Sequence, residues 1–111
     1  MTASSDLPLK IERQGQDIAV YVDQRVLDES AVQTVRDTLL SLADEQTSGV
    51  LTLDLKGVDY LGSAMLETLI NMYRKLKANG SRLVLQNLQP QVYEVFEVTK
   101  LHELLEIHTE S

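Results

Sequence analysis

Apolar positions recur along this chain in two rhythms, short branched or aromatic runs and longer stretches with helical spacing. Leu9 to Arg13 and Ile18 to Val22 are runs of the first kind, and Gln14-Gly15-Gln16-Asp17 between them reads as a hairpin turn. In the second run Ile18, Val20 and Val22 share one face, while Ala19 and Tyr21 share the other. Both faces are apolar, so the pattern predicts a strand covered on two sides.

The helical rhythm begins at Asp28 and lasts to about Glu45, with Val32, Val35, Leu39 and Leu42 on one stripe. Ser30 and Gln33 have capping-box spacing, and Asp28 and Glu29 suit the positive end of a helix. After Gly49, Val50 to Leu55 is the strongest strand signal in the chain, and Gly57 to Gly62 reads as a connection. A second helix is predicted over Ala64 to Ala78, where Met65, Leu66, Leu69, Ile70, Met72, Tyr73 and Leu76 span a wide apolar arc. Arg74, Lys75 and Lys77 favour its negative end, and Asn79-Gly80 is a stop signal. Arg82 to Gln86 is another strand, and Pro90 can open a third helix buried through Val92, Val95 and Phe96. Leu101, Leu104, Leu105 and Ile107 in the remaining tail are expected to close the core.

The order is β-β-α-β-α-β-α with an irregular tail. Strands alternating with helices predict an α/β fold with a mixed, mostly parallel sheet and an antiparallel hairpin at its front. Residues 1–8 are small and polar and are expected to fray, leaving residues 9–111 as one domain. The 111 residues and 43% hydrophobic content fit a single globular unit with no internal repeat.

Charge narrows the range of partners. Seventeen acidic against ten basic residues leave a net charge of −7, which repels phosphate backbones and anionic lipid. Neither nucleic acid nor a membrane is expected as a partner. The longest apolar run, Ile18 to Val22, is too short to span a bilayer, and the first six residues lack the regions of a secretion signal, so the expected location is the cytoplasm.

Catalytic chemistry finds little to work with. There is no cysteine, and the two histidines, His102 and His108, both fall in the tail, where they read as solvated residues rather than metal ligands. Gly62-Ser63-Ala64 lacks the outer glycines of a nucleophile elbow, and no phosphate-binding glycine loop is present. The chain is therefore expected to be no enzyme and to hold no metal, cofactor or small-molecule substrate. Ser63 remains, between the strongest strand and the most apolar helix. Its simplest role is to cap the helix through its hydroxyl. The same place also suits phosphorylation, because a helix N-terminus accommodates negative charge.

The order of elements and several local segments together resemble the STAS family, the sulfate-transporter and anti-sigma-antagonist domains. The segments are Val26-Leu27-Asp28, Leu51-Thr52-Leu53-Asp54-Leu55, the stretch Val58 to Ala64, Ala78 to Leu83, and Val95-Phe96. The resemblance implies that Ser63 stands where the family's Asp-Ser-Ser-Gly signature carries its phosphorylated serine. It also implies that Asp28 lies in a loop beside that serine, and that Leu61, Gly62, Ala64 and Met65 join it in the partner surface. Leu61 stands in place of the family's aspartate, Gly62 in place of the first serine and Ala64 in place of the glycine.

The expected mechanism is partner switching. The unphosphorylated protein would bind an anti-sigma factor serine kinase, phosphorylation of Ser63 would release it, and a serine phosphatase would reset the cycle. A STAS scaffold within a signalling assembly is the alternative, and a transport accessory domain ranks last.

Overall fold

A computed structural model describes residues 9–23, 26–27, 29–46 and 48–109. Residues 1–8, expected to fray, lie outside the described residues, as does Asp28. Among the described residues, seven strands and three helices follow in the order β1 (Leu9–Gln14), β2 (Asp17–Val22), β3 (Val26–Leu27), α1 (Glu29–Glu45), β4 (Val50–Asp54), β5 (Tyr60–Leu61), α2 (Ser63–Ala78), β6 (Arg82–Leu88), α3 (Pro90–Val98) and β7 (Glu106–Thr109). A 3₁₀ turn, Leu101–Glu103, precedes β7.

The main sheet has the order β1-β2-β4-β6-β7. β2, β4, β6 and β7 are mutually parallel, and β1 folds back antiparallel on β2. The tail is thus not irregular: it adds a fifth strand beside β6. A second small ladder pairs β3 with β5 in parallel, with Val26 opposite Tyr60 and Leu27 opposite Leu61. The stretch between Gly57 and Gly62, expected to be a plain connection, contains this strand.

Side-chain alternation decides which face of the sheet is covered. Ile18, Val20, Val22, Leu51, Leu53, Leu83 and Leu85 form one buried cluster with Val35 and Leu39 of α1, Met65, Leu69, Met72 and Leu76 of α2, and Val92 and Phe96 of α3. All three helices therefore lie on one face. The opposite face corrects the expectation for β2. Ala19 and Tyr21 are only half-buried there, beside a depression of about 300 Å³ that Glu12 and Thr52 also line. An apolar alanine and an amphipathic tyrosine satisfy a half-wet surface as readily as a covered one. Leu104, expected in the core, is 43% exposed, and Leu105 takes the inward place at 3%.

Two polar locks set the edges of this sheet. At the amino edge, Asp17 Oδ1 accepts the Val50 amide at 2.9 Å, and the buried Gln46 donates Nε2 to the Gln16 carbonyl at 2.5 Å. Gly49 passes through this corner at φ +80°, where an added Cβ would meet the Gln16 carbonyl oxygen and lie 2.8 Å from Asp17 Oδ1. At the far end of α2, Ser81 N donates to Leu76 O at 2.7 Å and Gly80 N to Lys77 O at 3.2 Å. These are the two bonds of a Schellman motif, with Gly80 in the left-handed region at φ 81°.

Candidate functional site

The carboxyl ends of β4 and β6 carry the site. Asp54, the last residue of β4, is 9% exposed and accepts three donors: Lys56 N at 2.9 Å, Asn87 Nδ2 at 2.8 Å and Gln86 Nε2 at 3.3 Å. A carboxylate that receives the amide two residues on starts a tight Asx turn. The turn is fixed further by Val58 N donating to Leu55 O at 3.0 Å and by Gln89 Nε2 donating to Lys56 O at 2.8 Å. The chain leaves this turn into β5 and reaches Ser63 two residues after β5 ends.

Ser63 is exposed and is the first residue of α2, not its cap. Gly62 holds the cap position in an extended conformation, φ −85° and ψ 172°, and its carbonyl accepts Met65 N at 3.1 Å and Leu66 N at 3.2 Å. No side chain caps this helix, and no acidic residue occupies its first turn. The simplest sequence reading of Ser63, as the capping hydroxyl, is therefore overturned. A cap needs an extended backbone, and the chain reaches helical geometry one residue too early for the serine to supply it. The uncapped positive end of α2 lies at the serine.

The remaining expected site residues divide by burial. Gly62 and Ala64 are half-buried and flank the serine. Leu61 and Met65 are 4% and 0% exposed. Both side chains lie in the cluster of core residues and support the loop from beneath. Asp28 lies outside the described residues, while Leu27 before it is opposite Leu61, so the ladder brings the β3 and β5 strands together.

Tyr60 is the residue that sequence reasoning missed. It is 53% exposed, three positions before the serine, and belongs to the two-residue β5. Leu61 beside it turns inward, so Tyr60 must turn outward. Two residues are too few to show that alternation as a periodic signal.

The histidines stand elsewhere. His102 departs from the solvated reading: it is half-buried, with Nδ1 at 3.2 Å from the Phe96 carbonyl and its ring edge-on to Tyr93 at 6.3 Å. His108 is exposed and contacts Glu106 Oε2 at 3.1 Å. Glu106 also receives Arg82 through Nε at 2.7 Å and Nη2 at 2.5 Å. The hydrogen bonds from Arg82 hold the Glu106 carboxyl down at about 2, against an ordinary 4.5. Among the described residues no group of three or more potential metal ligands forms, and no helix is long and apolar enough to cross a membrane.

A one-sided α/β sheet, bordered by a small parallel ladder and a helix opened by an exposed serine, defines the class of domain. The chain belongs to the STAS domain family, whose model matches residues 9–111. It is similar to the anti-sigma-B factor antagonist of Bacillus subtilis strain 168, with 24% identity over 106 residues that cover 96% of this chain and 94% of the relative. Its fold is similar to that of an anti-sigma-factor antagonist (STAS) domain protein from Planctomyces limnophilus, with a TM-score of 0.80 at 19% identity, covering 93% of this chain and 91% of that one. It is also similar to the Bacillus cell fate determinant SpoIIAA in its phosphorylated form, with a TM-score of 0.66 at 18% identity and 92% of each chain covered.

Proposed function

We propose that this protein is an anti-sigma factor antagonist that works by partner switching, with Ser63 as its phosphoacceptor. The unphosphorylated form binds an anti-sigma factor that is also a serine kinase, and phosphorylation of Ser63 ends the complex. A serine phosphatase restores the binding form. The observation that carries this reading is the exposed hydroxyl at the first position of α2, free of any capping duty.

The physical effect is asymmetric. A phosphate brings about −1.5 to −2 charges. Within the domain those charges meet the positive end of α2, where first-turn amides lack partners four residues back. In a complex the same charges must be desolvated against a surface that was complementary to a neutral hydroxyl. A hundredfold loss of affinity requires only about 2.8 kcal/mol. Tyr60, Gly62 and Ala64 border the serine and form the surface a partner would cover. This protein supplies the acceptor alone, and the kinase brings ATP and magnesium.

The test is to incubate the protein with its cognate anti-sigma kinase and ATP, and to map the product by phosphopeptide mass spectrometry. The expected result is one phosphate, on Ser63, with loss of complex by calorimetry. Phosphate on another residue, or a complex indifferent to phosphorylation, would overturn the reading.

A further inference from the structure

The free edge of the main sheet carries a self-complementary pattern. β1 is the first strand of that sheet and pairs with β2 alone among the described residues. The turn joining them has Gly15 at φ +59°, and Gln16 is not in the positive region. A two-residue loop with positive φ at its first position only is a type II′ turn. Gln14 and Asp17, which flank it and are paired, therefore exchange main-chain hydrogen bonds. Alternation along an antiparallel ladder then turns the N–H and C=O groups of Gln14, Glu12 and Lys10 toward β2. Those of Leu9, Ile11 and Arg13 face outward, unpartnered in the ladder.

We propose that this edge binds a second copy of the same chain, the two β1 strands pairing antiparallel about a two-fold axis at Ile11. In that register Ile11 faces the partner's Ile11, and the two residues exchange both main-chain hydrogen bonds. Leu9 and Arg13 do the same with the partner's Arg13 and Leu9. Lys10 falls directly opposite the partner's Glu12, and Glu12 opposite the partner's Lys10. These are sites without main-chain bonds, where facing side chains come closest.

Charge selects this register over its neighbours. An axis at Lys10 would set lysine against lysine, and one at Glu12 would set glutamate against glutamate. Both would be destabilising. Lys10 and Glu12 are 73% and 52% exposed, with a loose contact of 3.7 Å between them, and Glu12 also accepts a hydrogen bond from the Tyr21 hydroxyl of its own copy. Ile11 is 37% exposed, an apolar side chain between the charged Lys10 and Glu12 of this strand. The dimer is weak and reversible, because a six-residue edge buries little area and each copy carries −7. The inference is independent of Ser63, since β1 carries none of the residues of the candidate site.

Sedimentation equilibrium of the full chain, over a concentration series reaching the millimolar range, tests it. The mass is expected to rise from one copy towards two. Ile11→Pro removes an outward N–H without touching a β1–β2 bond, and should hold the protein at one copy with its circular dichroism unchanged. Lys10→Glu and Glu12→Lys each place like charges opposite one another and should weaken association by roughly tenfold. The double reversal should restore it. A single-copy mass throughout the series would overturn the proposal, as would a dimer that survives Ile11→Pro. A dimer insensitive to the charge reversals would overturn the register.

Discussion

Asn87 donates its side-chain amide to Asp54 Oδ2 at 2.8 Å from a left-handed backbone, φ 59°, at the carboxyl edge of the sheet. The contact joins β6 to the turn that leads into β5 and Ser63. Asn87→Gly keeps the backbone accessible and loses only the bond, whereas Asn87→Ala loses both, so the alanine variant should be the less stable. Asp54→Ala should cost about 1–3 kcal/mol, because it strands the donors of Lys56, Gln86 and Asn87. Urea unfolding of the three variants checks the order.

Ser63 offers the opposite expectation for stability. Its hydroxyl does not cap α2. Ser63→Ala and Ser63→Asp should both unfold within about 0.5 kcal/mol of the parent. Against the partner they should separate, Ser63→Ala binding persistently and Ser63→Asp more weakly. Differential scanning calorimetry and titration calorimetry read the two properties independently, and equal affinities would remove the switch.

Tyr60 is exposed beside the serine, and large aromatics dominate many interfaces. Tyr60→Ala is expected to weaken the complex by about 2 kcal/mol or more. The melting temperature should move little, because Tyr60 is already 53% exposed in the free domain. A variant that melts early while binding normally would show that the ring belongs to the fold rather than to the interface.

Gly49 makes a purely structural prediction. Gly49→Ala combines φ +80° with a Cβ aimed at the Gln16 carbonyl and the Asp17 carboxylate. The expected loss is on the order of 2 kcal/mol, seen as a lower urea midpoint. Gly15 also has a positive φ, +59°, but nothing lies within 4 Å of an added Cβ, so Gly15→Ala carries the backbone strain without the clash and should be the milder of the two.

The Arg82–Glu106 pair adds stability with a defined pH window. The carboxyl of Glu106 lies at about 2 in the folded chain, below its ordinary 4.5. The folded state therefore prefers the ionised form. The contribution is complete above 4.5 and is lost as pH falls towards about 2. Both side chains are partly exposed, so solvent and salt reduce its size. Denaturation midpoints of Glu106→Gln should fall below those of the parent at neutral pH and converge with them at the acid end. Parallel curves across the whole range would contradict this account.

Most of the architecture could be read from residue order. Periodicity located β1, β2, α1, β4, α2, β6 and α3, because each has enough apolar positions to show a repeat. β3 and β5 have two residues apiece, too short for any period, and only tertiary pairing reveals them. Glu106 to Thr109 is mostly polar and gave no strand signal, since β7 lies at the sheet edge and needs little apolar surface. The uncovered face behind Ala19 and Tyr21 was hidden for a related reason: both side chains suit protein and water alike. At the site, Ser63 stood out by its place between strand and helix. Its exact backbone role did not, because the one-residue difference between cap and first turn is set by ψ at Gly62 and not by residue type.

That Gly62 rather than Ser63 closes the end of α2 has an evolutionary consequence. The helix would form equally well with alanine, threonine or aspartate after the glycine. A lineage can therefore change the residue at this exposed position without rebuilding the domain, and were a phosphate carried there, heredity could rewrite that message while inheriting the scaffold intact.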